Sequence, residues 1–364
     1  MKNSNFLYIR GLRNVEHSIF AVGSSDQNGN GQKYYTDPQF GRRQAYSSGQ
    51  QVKRSIIESF NLPFAAITFN WEIDKNEKAS MLEPHSPCDP SFVDQLLGGY
   101  MKAEKDTMTI KRRSPLSISA MRPLHPLLGG LERDNEGEAT SFDRSSMGSQ
   151  HNVNVYIKDD KGKRTLIDPS KLEEWLTTKE RSLGAKYYNP KKSPRVTGLF
   201  VYDVAIDLRR LFTVSINKLE PEISSLIEDK LRREGWIEHT NIFGKCLLCP
   251  QQLRDKIIPA LAHGLINWRI TSNQARTFSL METLAVAISD NANKLAGSIR
   301  AKLSEDTEKQ RAIPLLDDTA GANIYIALPC DGYIVGASGT ANALEDAEKY
   351  IIEQLQSYDY ENQK

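Results

Sequence analysis

Cationic side chains are concentrated in residues 40–59, FGRRQAYSSGQQVKRSIIES. Arg42, Arg43, Lys53 and Arg54 occur there, and no acidic residue of the segment precedes Glu58. Small polar residues separate the two pairs of cations: Ser47, Ser48, Gly49 and Gln50. The residues that follow have helical spacing, and the first N–H groups of a helix, together with its dipole, favour an anion. The segment therefore predicts an anion site that extends along a row of phosphates.

A surface role for the same residues is the alternative. Basic residues at the start of a helix are often a solvated face, and Ser-Ser-Gly is often only a helix cap. The chain has 364 residues with a net charge of +1 and a pI of about 7.6. This balance excludes a uniformly basic protein but allows a local basic groove, so composition leaves both interpretations open.

A second polar cluster follows a later predicted helix. Arg269, Asn273, Gln274 and Arg276 lie just beyond residues 250–268, whose pattern is helical. Their side chains suit contacts to a phosphate backbone, and equally a helix cap with exposed charges. Basic runs at residues 111–113 and 186–195 are either nucleic-acid contacts or solvated loops.

The residues of other kinds of site occur without the spacing those sites require. The six histidines show no HxxxH pattern, and no P-loop, GxSxG or dinucleotide fingerprint is present. Cys246 and Cys249 have the spacing of half a zinc site, but no second pair follows them. We therefore predict reduced thiols, no metal, no cofactor and no enzymatic activity.

The chain length predicts two domains, or one domain that carries a large insertion. No apolar run is long enough to span a bilayer, and Arg10 and Arg13 interrupt the apolar residues near the N-terminus, unlike a signal peptide. These features predict a cytoplasmic protein without a membrane partner.

Hydrophobic periodicity predicts a mixed α+β fold. Strands are predicted at residues 6–14, 65–74, 199–208, 279–289 and 323–329, and helices after Gln50 and at 220–234, 250–268, 291–303 and 342–358. An antiparallel sheet with helices packed on one face accommodates this order, and an RRM-like core is its simplest form. The aromatic-rich strand of RNA-recognition sheets is not found, so stacking on the sheet is not expected.

Residues 75–194 carry little sustained periodicity. A compact domain rarely contains so long an irregular connection unless the connection serves a function. We interpret it as an insertion of loops and hairpins.

The cationic segment resembles a stretch of the backbone subunit of CRISPR Cascade complexes, the repeated subunit of type I effectors in the RAMP superfamily. That family has a basic run, then Ser-Ser-Gln or similar, then Lys-Arg at the opening of a helix. Here Gly49 stands where many relatives have Ser, so one hydroxyl contact is lost or taken over by the backbone. Residues 198–208 and 273–277 are similar to later core segments in the family's order, and residues 119–122 resemble its guide-contacting finger loop.

The resemblance implies an RRM-like (ferredoxin-like) palm at residues 1–74 and 198–364, a finger insertion at 75–144 and a thumb hairpin at 145–197. Copies would stack head to tail along one CRISPR RNA, beside other Cascade subunits, and present the guide for pairing with target DNA in antiviral defence. The implied RNA-binding residues are Arg42, Arg43, Ser47, Ser48, Gln50, Lys53, Arg54, Met121, Arg122, Arg269, Asn273, Gln274 and Arg276.

Two other functions stay open. Type III relatives use an Asp after the first strand to cut target RNA with a divalent metal, and Asp26 and Asp37 lie in the corresponding loop here. A general single-stranded RNA-binding protein is the third possibility, and it would bind any RNA without a guide of fixed length.

Overall fold

A computed structural model describes residues 4–20, 33–73, 79–81, 84–103, 108–132, 156–158, 164–166, 168–180, 195–270, 278–304 and 310–363. Its strands are β1 (Phe6–Ser18), β2 (Tyr34–Thr36), β3 (Arg43–Ala45), β4 (Trp71–Ile73), β5 (Ala79–Met81), β6 (Tyr100–Lys102), β7 (Ile110–Arg112), β8 (Leu116–Ile118), β9 (Arg122–Pro123), β10 (Gly129–Glu132), β11 (Tyr156–Lys158), β12 (Arg164–Leu166), β13 (Arg195–Asp207), β14 (Thr213–Ser215), β15 (Ile237–Asn241), β16 (Gly244–Leu248), β17 (Thr283–Ser289), β18 (Ile299–Leu303), β19 (Ala312–Leu316) and β20 (Asn323–Ile326). Its α-helices are α1 (Gly49–Glu58), α2 (Val93–Gly98), α3 (Leu172–Thr178), α4 (Leu208–Leu211), α5 (Ser225–Arg233), α6 (Gln251–Asn267), α7 (Ala292–Ser298) and α8 (Ala343–Ser357).

The two longest strands, β1 and β13, form the centre of the main sheet. They pair antiparallel from Phe6 opposite Asp207 to Ser18 opposite Val196, with one irregularity after Val15. The strand order is β10-β13-β1-β17-β20, and β8 and β9 also pair with β13. Each strand pair in this sheet is antiparallel. The first was predicted as a compact apolar segment and the second from its alternation; β1 ends later and β13 begins earlier than predicted.

The connectivity of this sheet is that of a ferredoxin-like βαββαβ unit. The chain runs from β1 through α1 to the edge strands β8–β10, returns along β13, and passes through α6 to β17. The β20 strand extends the sheet beyond β17, and α8 contacts both strands. The predicted α+β class with an RRM-like core is therefore confirmed.

Apolar side chains cover both faces of the sheet. Ile9 and Phe200 belong to the larger core, which includes residues of α1, α6 and α8. Because neighbouring side chains on a strand point to opposite faces, Leu12 and Leu199 belong to a second cluster, which includes Leu295 of α7. Every residue of β17 is buried, so this part of the sheet offers no open face.

Two predicted elements are wrong in part. Residues 65–70 form no strand, and Ile67 and Phe69 are exposed; regular pairing begins only at β4, which pairs with β5. The helix predicted at residues 291–303 ends at Ser298. The residues beyond it form β18, because Ile299–Leu303 pairs antiparallel with β19.

The chain divides into two compact units. The first contains the main sheet and comprises residues 1–26, 31–132 and 195–364. The second comprises residues 27–30 and 133–194; in its described part, β11 and β12 form a hairpin and α3 follows. The boundaries of the four segments named palm, finger and thumb stay a prediction. Within the described ranges, no helix combines the length and apolar character that crossing a membrane requires.

Candidate nucleic-acid interface

A short hairpin presents Arg42 and Arg43. It is formed by β2 and β3, which pair antiparallel. Asp37 closes the turn, because its carboxylate accepts a hydrogen bond from the Phe40 N–H at 2.6 Å while its carbonyl accepts one from the Gly41 N–H at 2.9 Å. Gly41 has φ of +62°, which a residue with a side chain rarely adopts. The turn leaves both arginines exposed.

Two aromatic residues accompany these cations. The Arg43 guanidinium lies 4.0 Å from the centre of the Tyr34 ring, a cation–π contact. The neighbouring Tyr35 ring is 36% exposed, and the charge of Arg122 opposes the rise in pKa that burial gives its phenol. Neither tyrosine is among the contacts predicted from the sequence. The signal was available in Tyr-Tyr-Thr, three residues that favour strands.

The start of α1 provides backbone donors. Ser48 caps the helix, because its hydroxyl oxygen accepts the Gln51 N–H at 3.4 Å. Ser47 is buried, and its hydroxyl donates to the Gln51 side-chain oxygen at 2.8 Å. In the part of the chain that the structure describes, the N–H groups of Gly49 and Gln50 have no acceptor. These N–H groups, rather than Ser47, are therefore the donors available to an anion.

The N-terminus of α1 packs directly on the segment before β9. Ser47 and Met121 exchange two backbone hydrogen bonds of 3.0 Å each. A Cβ at Gly49 would overlap the carbonyl oxygen of Ile118. The serine that many members of the family named above have at this position would therefore not fit here. The Met121 side chain is fully buried in the core and contributes packing at this point.

Arg122 is brought beside the α1 start by this packing. Its side chain is 44% exposed, and its guanidinium lies 3.9 Å from the Asp203 carboxylate. That carboxylate already receives two hydrogen bonds from Arg10, at 2.6 and 3.1 Å. Arg122 is therefore only weakly neutralised.

Lys53 and Arg54 differ in their surroundings. Burial lowers the pKa of the Lys53 ammonium to about 8, and no carboxylate of the described residues pairs with it. Arg54 is 80% exposed and pairs with Glu58 one turn later at 2.6 Å. Such an exposed ion pair contributes little to stability, so Arg54 can exchange Glu58 for another anion at small cost.

We call the set formed by Arg42, Arg43, Lys53, Arg122 and the two free N–H groups at the start of α1 the cationic cradle. It joins predicted contacts that lie far apart in sequence. Gln50 is exposed beside it. The cradle offers charged and neutral donors, which is the chemistry of a phosphate site.

Arg269 follows α6, the helix that packs against the end of α1. Gly264 of α6 faces the Phe60 ring, just beyond the end of α1. Arg269 follows α6 and donates from Nη1 to the carbonyl oxygens of Trp268 at 2.8 Å and Asn267 at 3.3 Å. The predicted contacts Asn273, Gln274 and Arg276 lie outside the described residues, as does Asp26.

Other predicted chemistry falls on structural residues. Burial raises the pKa of the Cys246 thiol to about 11 and that of Cys249 to about 12, as expected for core thiols. Arg112, from the basic run at 111–113, is buried and pairs with Glu222 at 2.8 Å. A group of three or more potential metal ligands is absent from the described ranges.

No protein-family model and no curated protein match the sequence. The fold is similar to a chain of a solved structure described as "CRISPR RNA-guided surveillance complex, pre-nicking", with a TM-score of 0.42, 10% identity, and coverage of 96% of this chain and 88% of that one. A second, described as "CRISPR RNA-guided surveillance complex", has a TM-score of 0.36, 11% identity, and coverage of 96% and 84%.

Proposed function

We propose that this chain is a non-catalytic, CRISPR RNA-binding backbone subunit of a type I Cascade surveillance complex, and that its cationic cradle binds the guide's phosphates. The observation that carries the proposal is a helix start with two free N–H groups, preceded in the chain by the exposed Arg42 and Arg43, followed by Lys53, which is unpaired among the described residues, and bonded at Ser47 to the residue before Arg122. Charged donors and N–H groups of this kind bind phosphate oxygens without reading bases.

A backbone-reading site suits a subunit that must accept guides of any sequence, because base pairing with target DNA then supplies the specificity. In this proposal, copies of the chain contact one another head to tail along the RNA beside other Cascade subunits. Heterologous contacts of this kind generate open filaments when the rotation does not close. The segments 75–144 and 145–197 would act as finger and thumb.

Asp37, one of the two residues of the alternative nuclease, is accounted for differently. Asp37 holds the turn between β2 and β3, with its carboxylate engaged by backbone N–H groups. Asx turns of this kind need no metal. We therefore assign Asp37 a structural role that positions Arg42 and Arg43.

The proposal is tested by removing the charges of Arg43 and Lys53, which belong to the cradle, and of Arg54, which lies on the same helix as Lys53. Replacing Arg43, Lys53 and Arg54 together by alanine should abolish co-purification of cellular RNA of defined length. It should also lower the salt slope of affinity for a labelled oligouridine RNA by about 2, at about 0.7 per phosphate contact. The matched control replaces Lys218, Lys245 and Lys349, whose side chains are 69%, 74% and 71% exposed, and removes the same charge elsewhere.

Three results would count against this function. One is unchanged RNA capture and assembly in the cradle variant, and a second is an equal loss in the control. The third is cleavage of matched target RNA at regular intervals in the presence of magnesium, lost on Asp26→Ala or Asp37→Ala, which would favour the nuclease.

A further inference from the structure

Arg13 is a fully buried arginine in the middle of β1. Its Nη1 donates to the carbonyl oxygens of Trp268 at 2.9 Å and Met281 at 3.2 Å, and its Nη2 donates to that of Ile266 at 3.2 Å. These acceptors lie at the C-terminal end of α6 and just before β17. One guanidinium therefore holds together the two chain segments that flank residues 269–280.

The charge of Arg13 is compensated without a carboxylate. In the described ranges no acidic side chain pairs with it, although buried charges are usually paired. The guanidinium lies 4.0 Å from the centre of the Trp268 ring and 5.5 Å from that of Tyr202. The carbonyls at the end of α6 also carry the negative end of the helix dipole. This arrangement keeps a full positive charge inside the fold at a defined place.

Arg269 depends on the same oxygen atom. Its Nη1 donates to the Trp268 carbonyl at 2.8 Å, so Arg13 and Arg269 converge on one acceptor. Within the described part of the chain, no acceptor binds Nε or Nη2 of Arg269. Two like charges that share one carbonyl repel each other, and an anion at the outer guanidinium relieves that repulsion. The pair therefore favours a phosphate on the free donors of Arg269.

We infer that Arg13 is a positioning residue for a second RNA contact: it fixes the Trp268 carbonyl, and through it the Arg269 guanidinium, in place for a guide phosphate. The inference rests on the proposed function and deepens it. Arg13 itself touches no RNA, since its side chain is fully buried.

The test compares Arg13→Lys with Arg269→Ala, singly and together, using the full-length chain and a labelled oligouridine RNA. Arg13→Lys keeps the charge but loses the fork that joins Trp268 to Met281. Each single variant should bind about tenfold more weakly, with a salt slope lower by about 0.7. The double variant should bind no more weakly than Arg269→Ala alone, because both changes remove one contact.

Arg112→Lys is the matched control. Arg112 is also buried and donates to three backbone carbonyls, those of Leu96, Thr213 and Arg210. Its loss should lower stability while leaving the RNA affinity unchanged. Amide hydrogen exchange at Arg269 and Met281 should accelerate in Arg13→Lys and stay unchanged in Arg112→Lys. This measurement tests, in the absence of RNA, whether Arg13 holds the two segments in place.

Several outcomes overturn the inference. These are unchanged affinity in Arg13→Lys, losses that add in the double variant, or equal weakening in Arg112→Lys. If Arg13→Lys and Arg269→Ala keep full affinity while the Arg43, Lys53 and Arg54 variant loses it, this inference fails and the proposed function stands. If that variant keeps its RNA, both fall together.

Discussion

Substitution of Gly49 tests the packing on which the cradle depends. A Cβ at this position would overlap the Ile118 carbonyl oxygen and lie 3.2 Å from that of Ser119, whereas ordinary contact begins at 3.4 Å. Both neighbours are backbone atoms, so no flexible side chain can move aside. Gly49→Ala should therefore push the start of α1 away from the segment before β9 and weaken the two 3.0 Å hydrogen bonds between Ser47 and Met121.

The expected loss is about 1–3 kcal/mol in the free energy of unfolding, the usual cost of overpacking. The gain of up to about 1 kcal/mol from replacing glycine in a helix offsets part of it. RNA affinity should fall as well, because Arg122 moves away from the helix start. Gly49→Ser should behave like Gly49→Ala, since the limit is the Cβ and not the hydroxyl.

The assay is urea denaturation followed by RNA titration at fixed salt. Gly332→Ala is the control, because a Cβ there meets no atom within 4 Å. A Gly49→Ala protein as stable as the Gly332→Ala protein would refute the packing argument. Tighter RNA binding by Gly49→Ser would instead show that a hydroxyl at this position contacts the guide.

Two further predictions concern charge. Since burial lowers the pKa of Lys53 to about 8 and a phosphate favours the charged form, RNA affinity should fall as pH rises through 8, whereas Lys53→Arg should flatten this dependence in titrations from pH 7 to 9. The stability of the free protein changes with pH in the opposite direction. Above pH 8 the unfolded chain binds more protons than the folded chain, so the free energy of unfolding rises with pH there. Glu222→Gln leaves the buried Arg112 guanidinium without its carboxylate and should lower the free energy of unfolding, measured by urea denaturation, by about 3–5 kcal/mol. Glu58→Gln at the exposed Arg54 pair should lower it by less than about 1 kcal/mol. Equal losses would show that burial does not determine how much an ion pair contributes to stability.

The main sheet and α1 were predictable because their signals are local. A compact apolar segment indicates β1, alternating apolar residues indicate β13, and Ser48 is a typical cap before a helical pattern. The alternation of apolar residues at 65–70 led to a wrong strand prediction, because this signal contains no information about a partner strand. It describes a strand with a half-buried face, whereas the pairing of residues 65–70 in the described structure is limited to one bridge between Thr68 and His85.

The missed features depend on contacts between distant residues. The close approach of Gly49 to Ile118 joins residues 69 positions apart, and no property of the serine-rich loop indicates it. From the sequence, Arg13 is expected to face solvent, because it interrupts an apolar run and a charged residue in a strand is usually exposed. Its burial is made possible by carbonyls more than 250 positions away, which only the folded chain brings together.

The near-neutral net charge of the chain gives no indication of the cradle. Several arginines of the sheet and of the elements beside it form ion pairs within the fold. Arg10 pairs with Asp203 at 2.6 Å, Arg209 with Asp207 at 2.8 Å, and Arg112 with Glu222 at 2.8 Å. In the described ranges, Arg43 and Lys53 have no such carboxylate. A local excess of unpaired cations is what releases counterions on binding, so the salt dependence of RNA affinity should follow the cradle and not the net charge of +1. A pronounced salt slope in this nearly neutral protein is therefore a direct consequence of how its charges are paired.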